Sequence, residues 1–248
     1  MRDQQMKAVQ GYVTTTKQEL DTALGGGIPV PSVALIEGNN NSGKTVLSQQ
    51  FLYGALSQGY GVTVITTENT PRGYLAQMDL LHADVRQPFI RGALRIVPIH
   101  VKNIVWTEYR LSRLLSTLTG FIANEKSRVI IIDSLTYLCA EASLDDILTF
   151  FSRVRKLAEP NYYEMSKAFI CTIHGDFHGN NSEQLLIRIR SLCDVHIELN
   201  KEVAQGQVVR SIEVPKLKGS KLMANKVTRF EVHPAFGIRI VSTSEAMG

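Results

Sequence analysis

An eight-residue segment that follows the aliphatic run Val33–Ile36 places the tightest limit on the fold of this chain. It matches the pattern G-x-x-x-x-G-K-[ST] without a mismatch and reads Gly38-Asn39-Asn40-Asn41-Ser42-Gly43-Lys44-Thr45. In such a loop the glycines permit a tight wrap that turns successive backbone N–H groups toward a phosphate. The helix that follows adds the positive end of its dipole. The motif therefore predicts a strand, a phosphate-binding loop and a helix in direct succession.

Two side chains at the end of this loop carry the expected chemistry. Lys44 is expected to reach the β- and γ-phosphates of a nucleotide, and the Thr45 hydroxyl is expected to ligate Mg²⁺. The alternative is a glycine-containing turn that matches the pattern by chance. The aliphatic strand before the loop and the amphipathic helix after it favour the nucleotide. The residues predicted to bind it are Gly38, Asn39, Asn40, Asn41, Ser42, Gly43, Lys44, Thr45 and Val46.

Asp133 directly follows the four aliphatic residues Val129–Ile132. An aspartate at the carboxyl end of a buried parallel strand faces the crevice in which ligands bind to such sheets. Asp133 is therefore predicted to hold Mg²⁺, through water, together with Thr45. The alternative is an acid that ends the strand and caps a turn, and the upstream phosphate loop favours the metal role.

Glu68 ends another strand-like segment, Gly61–Thr67. If this strand lies in the same sheet, Glu68 points toward the same crevice, where a carboxylate can polarise a water for hydrolysis. Alternatively, Glu68 simply ends a strand before a helix that begins at Thr70-Pro71. The residues favour neither interpretation over the other.

His174 ends the segment Ala168–His174, and His178 follows four residues later. A metal-binding pair at this spacing needs a helix, whereas Gly175 and Gly179 indicate a loop, so a zinc site is not expected. Because strand ends converge on the nucleotide, His174 is a candidate sensor of the γ-phosphate. An ordinary polar loop histidine is an equal alternative.

Strand-like and helix-like segments alternate along most of the chain, which predicts an α/β fold. The predicted strands are Ser32–Glu37, Gly61–Thr67, Leu94–Ile99, Arg128–Asp133 and Ala168–His174; the predicted helices are Lys44–Gln58, Pro71–His82, Trp106–Glu125 and Ser143–Glu159. Apolar strands separated by helices indicate a mostly parallel sheet covered on both faces. From about Asp194 short strands joined by turns predict an antiparallel, β-rich extension. We expect one domain over residues 1–248, with its core at about 20–241.

Composition excludes several classes of protein. Hydrophobic residues make up 44% and charged residues 20% of 248 residues, which is typical of a globular chain. No apolar run approaches the roughly 20 residues that span a bilayer, and the first residues lack the apolar core of a secretory signal. Three cysteines without a C-x-x-C pair favour reduced, buried thiols in the cytosol. The net charge of +4 comes from residues 201–248, which hold eight basic and four acidic side chains.

Taken together, these motifs resemble the RecA/KaiC branch of the phosphate-loop ATPases. The resemblance covers about Leu20 to Val241, and the segments that carry it besides the phosphate loop are Leu20–Pro29 (LDTALGGGIP), Thr67–Pro71 (TENTP) and Pro215–Ser220 (PKLKGS). The last segment is similar to K-x-R-G-[ST], with which one KaiC subunit reaches the γ-phosphate bound to its neighbour. The resemblance thus implies ATP as the ligand, with Lys216 and Lys218 acting across a subunit boundary. His233-Pro234 is a candidate adenine contact by the same resemblance.

The chain departs from this family's pattern at two positions. KaiC-type sites have paired glutamates where this chain has Glu68-Asn69, and the intersubunit arginine is replaced by Lys218. A lysine cannot make the bidentate contact to phosphate that an arginine makes, and a finger arginine contributes about 10³–10⁵ in rate to phosphoryl transfer. The departures therefore predict preserved ATP binding with slow hydrolysis or none.

Within this branch the chain most resembles the single-domain ATP-binding components of the archaellum motor. That resemblance implies a regulatory, nucleotide-dependent switch that forms a homo-oligomer, such as a hexameric ring. It also implies a cytoplasmic protein held at the inner face of the membrane by its partners: the motor's ATPase, its membrane platform and a surrounding ring protein. One alternative is an active KaiC-like or recombinase-like ATPase with Glu68 as general base. Another is a DNA-repair protein, which the absence of Lys and Arg from Asp176–Ser182 disfavours.

Overall fold

The computed structural model describes residues 11–101, 106–159, 165–176, 182–204, 207–219 and 227–241. Among the residues discussed above, His178, Gly179, most of the loop after Asp176 and Ser220 lie outside these ranges.

The elements alternate much as the sequence pattern predicts. The strands are β1 (Gly11–Val13), β2 (Ile28–Val30), β3 (Ser32–Gly38), β4 (Val62–Thr66), β5 (Leu94–Pro98), β6 (Val129–Asp133), β7 (Ala168–His174), β8 (Val195–Ala204), β9 (Gln207–Leu217), β10 (Thr228–His233) and β11 (Gly237–Ile240). The helices are α1 (Gln18–Ala23), α2 (Lys44–Ser57), α3 (Pro71–Leu80), α4 (Arg86–Ile90), α5 (Glu108–Asn124), α6 (Thr136–Glu141), α7 (Leu144–Ala158) and α8 (Ser182–Leu192).

Over the described residues the main sheet has the strand order β11-β10-β9-β8-β3-β7-β6-β4-β5. The strands from β8 through β5 run parallel, whereas β9, β10 and β11 each pair antiparallel with the strand before them. A small antiparallel pair, β1 and β2, precedes the sheet. The predicted α/β fold, with a mostly parallel sheet and an antiparallel C-terminal extension, is confirmed.

Helices cover both faces of the parallel strands because successive strand residues point to opposite faces. On β3, Ala34 and Ile36 face a core built with α1, α2 and α3, whereas Val33 and Leu35 face a core built with α5, α6, α7 and α8. On α5 an apolar stripe at helical spacing is buried at Leu111, Leu115, Leu118 and Ile122, with Leu114 partly buried beside it. This two-faced burial explains why the strands are continuously apolar.

The predicted helix starts are confirmed where a side chain caps the first turn. Thr70 accepts a hydrogen bond from the Gly73 N–H at 3.1 Å, and Ser143 accepts one from the Asp146 N–H at 3.2 Å. Each cap satisfies a backbone donor that the helix itself leaves unpaired. The sequence analysis missed α8, whose short amphipathic pattern follows a glycine-rich and asparagine-rich stretch, and the short elements β1, β2, α1, α4 and α6.

The cysteines, which composition predicts to be buried and reduced, are described by the structure. Cys139, Cys171 and Cys193, the cysteines of the chain, are all buried as free thiols. Burial raises the pKa of Cys139 and Cys193 to about 12, so these thiols are protonated at neutral pH. A bilayer-crossing helix, which needs a long apolar run, does not occur among the residues that the structure describes.

Candidate nucleotide-binding site

The phosphate loop connects the carboxyl end of β3 to the first residue of α2. At Gly38 a Cβ atom would lie 2.3 Å from the Leu199 carbonyl oxygen and 2.6 Å from Ser42 Oγ, so only glycine fits this close approach. Gly43 has a φ of 109° at the start of the helix, and Asn41 has a φ of 59°. Asparagine tolerates this left-handed conformation better than most residues, which accounts for its use in the loop.

The side chain of Lys44 folds back into the phosphate loop. Its Nζ donates hydrogen bonds to the carbonyl oxygens of Gly38 at 2.7 Å and Asn39 at 2.8 Å. Burial lowers the pKa of Lys44 to about 8, against the opposite effect of Asp176, Glu68 and Asp133. The ammonium group is therefore mainly charged at pH 7, and the backbone carbonyl oxygens of the loop hold it in place.

Asp133 and Thr45 lie together on the floor of the site. Thr45 Oγ1 lies 3.4 Å from Asp133 Oδ1, which also accepts a hydrogen bond from Thr172 Oγ1 at 2.6 Å. The second oxygen, Oδ2, is buried and has no hydrogen-bond partner among the described residues. Burial raises the pKa of Asp133 to about 6, and the nearby Glu68 carboxylate adds to this effect. A hydroxyl beside an unsatisfied carboxylate oxygen fits a hard, oxygen-seeking cation such as Mg²⁺.

Glu68 lies across the crevice from the phosphate loop. Its Oε1 accepts a hydrogen bond from Ser134 Oγ at 2.9 Å and lies 3.9 Å from His174 Nε2. His174 chiefly lowers the pKa of Glu68, with smaller contributions from the Ser134 hydroxyl and the charge of Lys44, while partial burial opposes them. The backbone N–H of His174 donates to Thr136 Oγ1 at 2.9 Å, which fixes the end of β7. Glu68 is thus an ionised carboxylate that faces the loop.

These groups border one cavity of about 530 Å³ at the carboxyl edge of the parallel strands. Of the predicted site residues, those lining it are Asn40, Asn41, Gly43, Lys44, Thr45, Val46, Glu68, Asp133 and His174. Gly38, Asn39 and Ser42 are not among the lining residues; Gly38 and Ser42 are buried, and Asn39 is exposed. The sequence analysis missed the lining residues Ser134, Lys201, Val208, Arg210 and Val232. Ser134 follows Asp133 and Val232 precedes His233, whereas Lys201, Val208 and Arg210 come from β8 and β9 and carry no local signal.

A second cavity of about 420 Å³ adjoins the first and shares Thr45, Val46, Glu68 and Val232 with it. His233 and Pro234, which the resemblance marks as adenine contacts, line this second cavity. If the phosphates of a nucleotide bind the loop, its base lies beside this second cavity. The position of His233 and Pro234 is therefore compatible with contact to adenine.

Lys216 and Lys218 are not brought to the phosphate loop of their own chain. Leu217 pairs with Val195 at the beginning of β8, and Lys218 lines a hollow with Pro31 and Ser32 at the amino edge of the sheet. Lys216 Nζ donates to the carbonyl oxygens of Arg190 and Ser191 at the end of α8. Lys218 Nζ lies 3.6 Å from Asp194 Oδ1, and 53% of its side chain is exposed. Any action of these lysines on a nucleotide requires a second subunit.

A buried charged cluster holds the end of β3, directly before the phosphate loop. Glu37, the residue before Gly38, lies 3.0 Å from His196 Nε2 and forms a two-point ion pair with Arg190 of α8. Burial opposes ionisation of Glu37, but the hydrogen bonds and charges of His196 and Arg190 lower its pKa to about 2. Glu37 therefore ties the end of β3 to β8 and α8, and the missed helix α8 contributes to the site through this contact.

Comparison with known proteins agrees with this geometry. A family model described as the KaiC ATPase matches residues 13–245. The chain is 34% identical to the archaeal flagellar ATP-binding protein FlaH of Sulfolobus acidocaldarius, over 94% of this chain and 97% of that protein. It is 28% identical to FlaH of Methanocaldococcus jannaschii, again over 94% of this chain and 97% of that protein.

Solved structures give the same result. The crystal structure of the flagellar accessory protein FlaH from M. jannaschii has a TM-score of 0.77 and 27% identity, and the match covers 94% of this chain and all of that one. A KaiC-like protein from Pyrococcus horikoshii, 17% identical with a TM-score of 0.73, shares the fold. The resemblance predicted from the sequence motifs is confirmed. The chain belongs to the KaiC family of ATPases and, within it, to the FlaH proteins of the archaeal flagellum, or archaellum.

Proposed function

We propose that this chain binds ATP and Mg²⁺ in the 530 Å³ cavity and acts as a nucleotide-dependent switch in the archaellum motor. One observation carries the proposal: Lys44, Thr45, Asp133 and Glu68, four groups from three separate parts of the sequence, line one cavity at the carboxyl edge of the sheet. Relatives named as archaeal flagellar ATP-binding proteins support the same ligand and the same machine.

Each side chain has a defined task in binding. Lys44 now donates to two loop carbonyls, and phosphate oxygens would replace these acceptors with charged ones, which form stronger hydrogen bonds. Thr45 and Asp133 would hold Mg²⁺, and Asp133 would lose to solvent any proton that it retains because of its raised pKa. The bound cation would neutralise phosphate charge. His233 and Pro234 would border the base in the adjoining cavity.

We propose that hydrolysis is slow or absent. A general base works best when its pKa is close to the operating pH, but the surroundings of Glu68 lower its pKa below the ordinary value of 4.5. No second glutamate follows it, since the next residue is Asn69. Lys218, in the position of the intersubunit arginine, brings charge without bidentate geometry. These features favour a protein that retains ATP over one that consumes it.

An active ATPase is the second candidate function. Glu68 lines the same cavity as Lys44, and His174, close to Glu68, lines it as well. In this alternative Glu68 accepts the proton of the attacking water, His174 senses the γ-phosphate, and Lys218 of a neighbouring subunit supplies charge.

We propose a homo-oligomeric ring, such as a hexamer, as the assembled form. The phosphate loop lies at the carboxyl edge of the sheet and Lys218 at the amino edge, so a contact between the two is head-to-tail. Head-to-tail contacts form a ring when the rotation between successive subunits closes. By resemblance, the ring would dock on the motor's ATPase, the membrane platform and the surrounding ring protein. It would then lie in the cytoplasm at the inner face of the membrane, as one domain per chain.

The test is to incubate the purified protein with Mg²⁺ and ATP for several hours and to identify the nucleotide that stays bound. We expect intact ATP, in about one equivalent per chain. The Lys44→Ala variant should bind no ATP, because it lacks the cation at the phosphate loop. ATP binding by Lys44→Ala with undiminished affinity would contradict the site.

The same experiment separates the two candidate functions. Bound ADP in the wild type, together with intact ATP in the Glu68→Gln variant, would contradict the switch without hydrolysis and establish Glu68 as the base. Bound ADP in both proteins would exclude Glu68 from that role.

A further inference from the structure

The β-hairpin formed by β8 and β9 places two cations at the phosphate cavity that no sequence motif indicates. Lys201 and Arg210 both line the cavity that contains Lys44. They are directly opposite each other in the antiparallel pairing of the two strands, so their side chains share one face of the hairpin. Both are half-buried. This face of the hairpin is turned toward the phosphate loop.

Arg210 is already in contact with the loop. Its Nε donates a hydrogen bond to the carbonyl oxygen of Asn41 at 3.4 Å. On the next strand, Arg210 pairs with Phe230, whose ring would lie 3.5 Å from a Cβ atom at Gly43. The side chain of Arg210 therefore reaches from the hairpin to the phosphate loop.

Neither cation has a carboxylate partner among the described residues. The ion pairs within 4.0 Å over that part of the chain involve other groups. The remaining charges that line the cavity are Lys44, Glu68 and Asp133. Two basic side chains thus face a cavity and lack an anion. Arginine is suited to phosphate, because its guanidinium group presents several donors in a planar fork.

We propose that Arg210, assisted by Lys201, binds the polyphosphate of the nucleotide held by the same chain. This inference rests on the proposed function, since it names further contacts of the same site. It gives the site a bidentate cation from within the subunit, in addition to any lysine from a neighbour. Because Arg210 belongs to β9, nucleotide binding would also hold the hairpin against the phosphate loop.

The test is a comparison of binding constants for ATP, ADP and AMP, each with Mg²⁺, measured by calorimetry. Arg210→Ala should weaken ATP binding about 10- to 100-fold, the loss expected for a hydrogen bond to a charged group. The loss should decrease from ATP to ADP to AMP as phosphates are removed. Arg210→Lys should recover part of the ATP affinity, because it keeps the charge without the fork. Lys201→Ala should have a smaller effect of the same kind.

Arg229→Ala is the matched control. Arg229 is an exposed arginine on the neighbouring strand β10, where it pairs with Ser211, so its side chain lies on the opposite face of the sheet. The Arg229→Ala variant should bind ATP, ADP and AMP with the affinities of the wild type. A uniform loss for ATP, ADP and AMP in Arg210→Ala would mean a structural role and overturn the proposal, as would unchanged affinity.

Hydrogen exchange gives a second readout that does not depend on affinity. Saturating ATP should slow amide exchange in β8 and β9 of the wild type, and this protection should be lost in saturated Arg210→Ala. Equal protection in both proteins would contradict the contact.

The variants also separate this inference from the proposed function. If the wild type and Lys44→Ala bind ATP equally, the proposed function itself fails. If Lys44→Ala loses ATP binding and Arg210→Ala does not, the inference about Arg210 alone fails.

Discussion

Ionisation of Asp133 lowers the free energy of unfolding of the protein. The residue is 1% exposed, and one of its carboxylate oxygens has no hydrogen-bond partner in the part of the chain that the structure describes. Its pKa is raised from the ordinary value of 3.8 to about 6. Such a group is suited to a cation that arrives later, since the bound cation supplies the partner that the folded chain does not. The residue therefore stabilises the loaded site rather than the empty one.

Asp133→Asn should stabilise the protein without nucleotide or metal at pH 8, by about 1–3 kcal/mol. The folded wild type binds a proton more tightly than the unfolded chain between about pH 4 and pH 6. Its free energy of unfolding therefore falls as pH rises through that window, whereas asparagine has no proton to lose. Thermal unfolding followed by circular dichroism at pH 5 and pH 8 measures this difference.

The stabilising effect of Asp133→Asn should be smaller at pH 5 than at pH 8. An exposed acid on β10, changed in Glu231→Gln, is the control and should shift unfolding little at either pH. An equal effect of Asp133→Asn at both pH values would contradict the raised pKa.

Helix α2 carries the phosphate loop, and its position depends on a close backbone contact. At Gly54 a Cβ atom would lie 1.8 Å from the carbonyl oxygen of Thr14, in the segment between β1 and α1. No rotation of a side chain can relieve that overlap, since the atom it meets belongs to the backbone. Gly54 therefore allows the segment before α1 to pack directly on the helix that follows the loop.

Gly54→Ala should lower the free energy of unfolding by about 3 kcal/mol or more, at the upper end of the range for overpacking. Gly120→Ala in α5 is the matched control, because a Cβ atom there meets no atom within 4 Å. It should raise stability by about 0.5–1 kcal/mol, the helix-propensity difference between alanine and glycine. Urea unfolding of both variants measures these changes, and a Gly54→Ala variant as stable as the wild type would contradict the contact.

At the scale of the whole molecule, the two ends of the sheet have different tasks. The carboxyl edge holds the cavity, and the amino edge holds Lys218 beside Asp194 and Arg155. An exposed ion pair such as that of Lys218 contributes little to stability, so the lysine is available to a neighbouring subunit.

Lys218→Ala should weaken ATP-dependent assembly more than it weakens ATP binding by the single chain. The reason is that Lys218 lies far from its own phosphate loop, at the opposite edge of the sheet. Sedimentation velocity with and without Mg²⁺–ATP measures assembly, and Lys201→Ala, a cavity lysine of the same chain, should show the reverse pattern. Unchanged assembly of Lys218→Ala with ATP would rule out a contact across the subunit boundary.

Local sequence determined the phosphate loop, the alternation of strands and helices, the fold class and the family. These features depend on neighbours along the chain: glycine spacing, apolar periodicity and side chains that cap a helix. Asp133, Glu68 and His174 were also predicted, because each ends or closely follows a strand and the ends of parallel strands meet at one edge. Their roles in catalysis and metal binding stay predictions.

Only the tertiary structure decided which distant residues join the site. Arg210 and Lys201 reach the cavity because β8 and β9 pair in one register, and register depends on contacts between strands far apart in sequence. The cluster of Glu37, Arg190 and His196 likewise joins three elements that show no shared pattern. The tertiary structure also separated Lys218 from the loop, since an antiparallel strand carries it back to the opposite edge of the sheet.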